Sequence, residues 1–586
     1  MSACRTDKHI TTEREATSRS QAAEVFANYY EDRLKLYPLE ATLAGDNRYN
    51  DSLPNVLTDS WRDEARRFYQ KYLEALASVD RAPLPPDDQM SYDILKWECD
   101  VNLAQLQFPT HWLPLDQFNN LNALHLQFGQ WAGGTSAQPF KTVEDYEKWL
   151  KRLDAFVDWC HTAVTNMRIG IARGYVLPKA LTQKVIPQMA DLMKGPAEEH
   201  LFYTPIKNVP EEFSVKDRVR LARAYAATIG GKIIPTFRQL HDFLTNEYLP
   251  ASRASSGISE IPNGRDYYAL QIKIYTTTDM TAEEVFDLGQ KEVNRLSSEM
   301  ERVKQAVGFQ GTMKEFFEHV RQKKELMPFS DPQQVIDHYN AIHRKMQPAL
   351  KRLFRLTPKT PFEVRRTEAF REASASAEYN QGSLDGTRPG IFYVPIPDVA
   401  KYNIVSSEDL FLHEAIPGHH YQISLQQENT ALPRFRRILF YSAYGEGWAL
   451  YCESLGKELG LYEDPYQYFG MLSAEMHRAI RLVVDSGMHS KGWTRERAIQ
   501  YSLDHEAASE DGIIAEIERY MAWPGQALSY KVGQLRIREL RAKVEMELGQ
   551  KFDVREFHDQ VLEPGCVPLK LLEAKINRWI AVKRKT

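Results

Sequence analysis

The 586 residues are 43% hydrophobic and 26% charged, with a formal net charge of −5, a globular composition rather than a disordered or fibrous one. There is no basic stripe and no block of like charge, so no nucleic-acid partner is expected. No run of 18 apolar residues occurs, so no membrane span is expected either.

The first stretch, MSACRTDKHITTEREATSRSQ, has no apolar signal segment. Residues 1–20 read as disordered, and the chain as written reads as cytoplasmic. Ser2-Ala3-Cys4 resembles the end of a bacterial lipoprotein cleavage box; a start codon assigned too late would make the protein a periplasmic lipoprotein. The five cysteines, Cys4, Cys99, Cys160, Cys452 and Cys566, are scattered and never in C-x-x-C spacing. They read as buried free thiols.

Residues 21–260 read as an N-terminal helical half. Ser20–Ala44 spaces Ala23, Phe26, Tyr29, Tyr30 and Leu34 along a helix that stops at Gly45. Asp59–Val79 is similar, and Tyr146–Ile171 carries Trp149, Leu150, Leu153, Phe156 and Val157 as a helical stripe, more in keeping with a core than with a cofactor box. The break Ala251–Gly264 marks the division from residues 261–586, which hold nearly all the chemically suggestive residues.

In that second half, Tyr268–Thr278 alternates like a strand, and Thr281-Ala-Glu-Glu284 is a capping box before a helix. Arg388–Pro397 groups β-formers between prolines, which suits an edge strand. An exposed edge there would let an extended peptide add as a strand, making Arg388 and Tyr393 candidate substrate contacts.

The stretch FLHEAIPGHHYQ, Phe411–Gln422, begins like the zinc motif H-E-x-x-H, but Pro417 stands where the second histidine belongs. Catalytic zinc takes three protein ligands and keeps a position for water. A partner for His413 must be His419 or His420. On a straight helix His420 lies about 10 Å along the axis and His419 about 120° around it. Pro417 and Gly418 should kink the helix and swing a later histidine back. Ser406-Ser-Glu-Asp409 fits a capping pattern at the start of this helix. Downstream, Tyr441–Gly460 reads as a second helix in which Glu446 and Glu453 share a face. Glu446 is the expected third ligand and Glu453 a supporting group.

With these motifs in view, the chain is identified as a member of a bacterial family known as domain of unknown function 885. The matching residues are Asp385–Val394, His413–Gln422, Glu446–Glu453, Arg481–Thr494, Arg519–Gln534 and, N-terminally, Leu36–Asp51, covering nearly the whole chain. The family resembles distant relatives of thimet oligopeptidase, angiotensin-converting enzyme and the Taq-type carboxypeptidases. That resemblance implies a mainly α, two-lobed zinc-peptidase-like fold with a deep cleft and a small β element at its edge. It favours His419 over His420, because the relatives' H-E-x-G-H ends in a Gly-His pair. It points by role to Tyr530 or His489 as donor to the oxyanion, with Asp485 one turn before His489. Arg481 and Arg519, like Arg388, are candidates to grip a substrate carboxylate.

The expected activity is hydrolysis of amide bonds in short peptides, by an oligopeptidase or carboxypeptidase-like enzyme. One Zn²⁺ per chain is held by His413, His419 and Glu446, and Glu414 is the general base toward a metal-activated water. The alternatives are hydrolysis of a small non-peptide amide or ester, or metal binding without catalysis. His420, Glu453 and Asp485 are alternative ligands or supporting groups.

Overall fold

Local signals set most helix boundaries in the N-terminal part. Thr58 caps Asp59–Ala77 by accepting from Trp61 N–H. Val143–Arg173 opens on a capping box between Thr142 and Asp145 and stops at Gly174, whose φ of 76° suits glycine. Its stripe Trp149, Leu153, Phe156, Cys160 and Met167 is fully buried, so these aromatics are core. A helix runs from Ala3 to Leu36, where residues 1–20 were expected to be disordered. Phe26, Tyr29, Tyr30 and Leu34 bury its later part, and once nucleated the helix extends at one hydrogen bond per added residue.

The computed structural model describes residues 3–117, 137–368, 372, 376–383 and 388–585, with side chains from residue 14 onward. The fold is mainly α. The chain forms two compact units, Met1–Tyr267 with Glu518–Trp523, and Tyr268–Ile517 with Pro524–Thr586. The four described cysteines, Cys99, Cys160, Cys452 and Cys566, are buried free thiols. Among the described residues no helix is long and apolar enough to cross a membrane.

In the second unit the expected strand at Tyr268–Thr278 is part of a helix, Gly264–Thr276. Tyr268, Gln271, Ile272 and Thr276 are its buried positions, and spacings of three and four residues mark a helix face; short apolar runs fit both periods. The capping box of Thr281 and Glu284 forms as read and opens Ala282–Ala306. Ser442–Ser454 and Ser529–Leu548 pack so closely that a Cβ on Gly447 would lie 2.5 Å from Gly533 Cα. Only glycine permits that approach, and it fixes the helix that carries Glu446.

Three strands form one sheet: β1 Phe362–Arg366, β2 Glu378–Asn380 and β3 Gly390–Val394, in the order β1-β3-β2. β1 runs parallel to β3, with Val364 opposite Phe392, and β2 antiparallel, with Tyr379 opposite the same Phe392. β3 is therefore central, not the edge expected from its flanking prolines. Pro389 and Pro395 fall just outside the strand, so they remove no ladder N–H. With partners on both sides over 391–393, β3 has no free edge there for a substrate strand.

Candidate metal centre

The site is built on a broken helix. Ser407–Glu414 begins at Ser406, whose side chain makes no capping hydrogen bond. The expected capping box is replaced from a neighbouring helix: Gln467 Oε1 accepts from Glu408 N–H at 3.2 Å. This first turn is buried, so a protein side chain must satisfy what solvent would otherwise take. Phe411 and Leu412 are fully buried and anchor the helix below His413.

The Pro417-Gly418 pair was expected to kink the helix; the structure shows a full break. The helix ends at Glu414, residues 415–418 form a turn, and His419–Glu428 starts anew. A Cβ on Gly418 would lie 2.0 Å from the His413 carbonyl oxygen and 2.3 Å from that of Leu412. No side chain fits there. Trp448 Nε1–H donates to the Pro417 carbonyl at 2.9 Å, tying the turn to Ser442–Ser454.

The break brings His419 back beside His413, with ring centroids 4.8 Å apart and nearly perpendicular. His413 Nε2 is 3.5 Å and His419 Nε2 3.4 Å from Glu446 Oε2. One donor atom from each of the three lies within 4.8 Å of the others, the arrangement among the described residues that could hold a metal ion. Adjacent donors of a tetrahedral zinc ion stand about 3.3 Å apart at ordinary Zn–N and Zn–O lengths, close to the two separations from Glu446. Glu453 Oε1 lies 2.7 Å from His413 Nδ1, which leaves Nε2 for the Glu446 side.

His420 faces elsewhere. Its Nδ1 is 3.0 Å from the Tyr379 hydroxyl on β2, and its ring packs on Phe362 of β1 at 4.9 Å. Burial lowers its pKa to about 4, so it is a neutral core histidine. At the triad, burial works against the His413 imidazolium, but hydrogen bonds to Glu446 and Glu453 push its pKa up to about 10. Burial likewise opposes ionisation of Glu446, yet the two histidines hold its carboxyl far below the usual range. Burial raises the pKa of Glu414 and raises that of Asp409 strongly, with the Glu453 charge adding to it. Four carboxyl groups thus crowd two imidazoles.

The other expected residues are distributed as follows. Asp485 accepts from the Tyr268 hydroxyl at 2.6 Å and from Gly525 N–H at 3.2 Å. His489 is fully buried, its ring 5.1 Å from that of Tyr268. Tyr530 has the Arg481 guanidinium over its ring at 4.6 Å, and Arg481 also pairs with Glu516 at 3.0 Å. Tyr393 on β3 stands opposite Arg365 and Glu378. Arg388 donates its backbone N–H to Ser383 Oγ at 2.9 Å; the neighbouring Asp385–Thr387 of the quoted motif lie outside the described residues. Arg519 stacks on Tyr520 at 5.0 Å and belongs to the first unit. Sequence reasoning passed over Arg478, one turn before Arg481 on the helix Pro465–Lys491. Its charge acts on both Asp409 and Glu414. Nothing in the spacing HRAIR distinguishes the two arginines; their acid neighbours do.

A family profile described as "Bacterial protein of unknown function (DUF885)" matches residues 38–576. The solved structure of a candidate lipoprotein from Colwellia psychrerythraea superposes with a TM-score of 0.87 at 28% identity, covering 96% of this chain and 99% of its own. A candidate lipoprotein of unknown function from Shewanella oneidensis gives 0.66 at 17% identity, covering 94% and 99%, and speaks to the fold alone. No curated protein matches the chain.

Proposed function

The chain belongs to the DUF885 family, and we propose that it is a zinc-dependent hydrolase of amide bonds in short peptides. The observation that carries this reading is the convergence of His413, His419 and Glu446, backed by Glu453 and flanked by Glu414. A half-buried carboxylate beside two imidazoles is the His₂Glu donor set that suits zinc. In this reading those three residues hold one Zn²⁺ per chain. Zinc bound there supplies Lewis acidity and eases deprotonation of water.

The chain's own residues supply the remaining steps. Glu414 directly follows His413 and takes the proton of the attacking water, then returns it to the leaving amine. Its raised pKa favours that exchange, since an acid–base group works best near the working pH. Tyr530, whose ring lies against the Arg481 guanidinium, or His489 donates to the oxyanion. Glu453 holds the His413 ring by its Nδ1. A metal site without catalysis has no use for a carboxylic acid at the position of Glu414. The lipoprotein description of the Colwellia psychrerythraea relative favours a periplasmic lipoprotein over a cytoplasmic protein.

Elemental analysis of protein purified without chelator, with zinc offered, tests the site. We expect close to one equivalent in the wild type and almost none in Glu446→Ala. Less than about a tenth of an equivalent in the wild type removes the reading, because structural affinity of three such ligands retains the ion. A panel of short peptides beside small amides and esters then separates peptide from non-peptide hydrolysis.

A further inference from the structure

We infer that Tyr462 is a positioning residue of the metal centre. It ties the helix that carries His413 to the helix that carries Glu446 and Glu453, and so sets the spacing of the donors. The inference deepens the reading of the metal centre and rests on it.

The starting observation is a backbone conformation. Tyr462 has a φ of 61°, a left-handed conformation that is strained for any residue with a β-carbon and rare for a bulky one. The same turn has a glycine at Gly460, with a φ of 81°, where the backbone alone sets the requirement. At position 462 a large side chain is kept in spite of the strain, and its contacts say what it does.

The Tyr462 hydroxyl donates to the Glu453 carbonyl at 2.8 Å. That carbonyl lies in the last turn of Ser442–Ser454, where carbonyls lack full partners within the helix. Gly456 N–H reaches it only at 3.3 Å. The ring lies against Gly456, where a Cβ would stand 2.0 Å from Tyr462 Cε2, so only glycine admits it there. The backbone N–H of the same tyrosine donates to Glu408 Oε2 at 2.6 Å. Glu408 stands upstream of His413 on Ser407–Glu414. Tyr462 and Glu408 are both buried, so water is a poor substitute for either bond. One residue thus bonds to both ligand helices, by N–H to one and by O–H to the other.

The tie reaches the site through Glu453. Its carboxylate meets His413 Nδ1 at 2.7 Å, and Glu446 precedes it on the same helix. Holding the Glu453 carbonyl in a fixed relation to Glu408 keeps the two helices from sliding past each other. Donors that are already spaced need less ordering when an ion binds.

Tyr462→Phe tests this, because it keeps the ring and removes only the hydroxyl. Zinc affinity, measured by competition with a chromophoric chelator, should fall about 5-fold, the equivalent of one neutral hydrogen bond. Cobalt(II) bound in place of zinc should show shifted visible ligand-field bands in the variant. In metal-free protein, amide hydrogen exchange should quicken in both Ser407–Glu414 and Ser442–Ser454. Glu408→Ala, which removes the other end of the tie, should lower affinity and shift the bands in the same way. Tyr468→Phe, at a neighbouring tyrosine whose hydroxyl reaches Glu299, should change neither. Wild-type affinity and bands in Tyr462→Phe or in Glu408→Ala overturn the inference. Faster exchange confined to Ser442–Ser454 also overturns it, since capping one helix end alone would give that. A wild type that binds neither zinc nor cobalt defeats the reading of the metal centre; exchange that quickens in both helices even then upholds the tie between them.

Discussion

The second unit buries two clusters of charge, and they are built on opposite plans. In one, Lys531 Nζ stands 2.5 Å from Glu475 and 3.0 Å from Glu292, and Arg295 stands 2.7 Å and 2.8 Å from the same two acids. Burial opposes the charge on Glu475, but Lys531 and Arg295 hold its pKa at about 2. Arg295 also pairs with Glu299 and Arg538 stands 3.5 Å from Glu475, so three acids meet three bases. In the other, Asp409, Glu414, Glu446 and Glu453 surround His413 and His419, and among the described residues no lysine or arginine forms an ion pair with Asp409, Glu414, Glu446 or Glu453. A charge cluster that closes on itself joins helices. One with carboxylates matched only by imidazoles has room for a cation.

That contrast can be broken most sharply at Glu414. Glu414→Gln should lower kcat/KM by roughly 10³–10⁴ while zinc content stays near one equivalent; unchanged turnover would mean that another group is the base. In the closed cluster, Lys531→Met should cost about 3 kcal/mol in chemical denaturation, because Glu475 and Glu292 lose their fully buried cation and keep only the half-buried Arg295 between them. Zinc content should not change, and a loss of metal in this variant would show that the clusters are not separate in function.

A smaller effect is expected at Glu453. Glu453→Gln should weaken zinc binding by about 10–100-fold in competition with a chromophoric chelator, since His413 would exchange a charged acceptor at Nδ1 for a neutral amide. Affinity equal to wild type would make Glu453 a bystander.

Acid should act through His558, a buried histidine outside both clusters, rather than through the closed cluster. Glu475 has a folded pKa depressed from the usual 4.5 to about 2. Its stabilisation is complete above the unfolded value and is lost only as pH falls through the folded one, so the closed cluster is indifferent between pH 7 and 5. His558 differs: burial lowers its pKa to about 3, and the unfolded chain takes up its proton first as pH falls below 6.5. Chelated protein should therefore lose about 2 kcal/mol on this account between pH 7 and 5, and His558→Gln should flatten the dependence. A pH-independent denaturation midpoint in the wild type over that range would contradict the assignment.

Much of this was legible in the residues. The helical stripe at Trp149, the capping box at Thr281, and the grouping of His413, Glu414, Glu446 and Glu453 on two helices follow from period and spacing. Other features were not legible, for definite reasons. Tyr268–Thr278 reads equally as strand or helix because a run that short fits both periods. β3 looked like an edge because prolines flank it, and only the register shows that they fall outside the ladder.

By itself the sequence determined that the protein is mainly α, that no long apolar run spans a membrane, and which histidines and carboxylates could compose a metal centre. Those follow from composition, periodicity and the donor chemistry of side chains. Only the tertiary structure decided that Pro417 and Gly418 break the helix outright and that His419 rather than His420 turns toward Glu446. The reason is physical: a bend is set by what packs against it, here the carbonyls of Leu412 and His413 against Gly418 and the Trp448 indole on Pro417. Whether a buried charge is closed or open depends on partners that the chain brings together from distant positions.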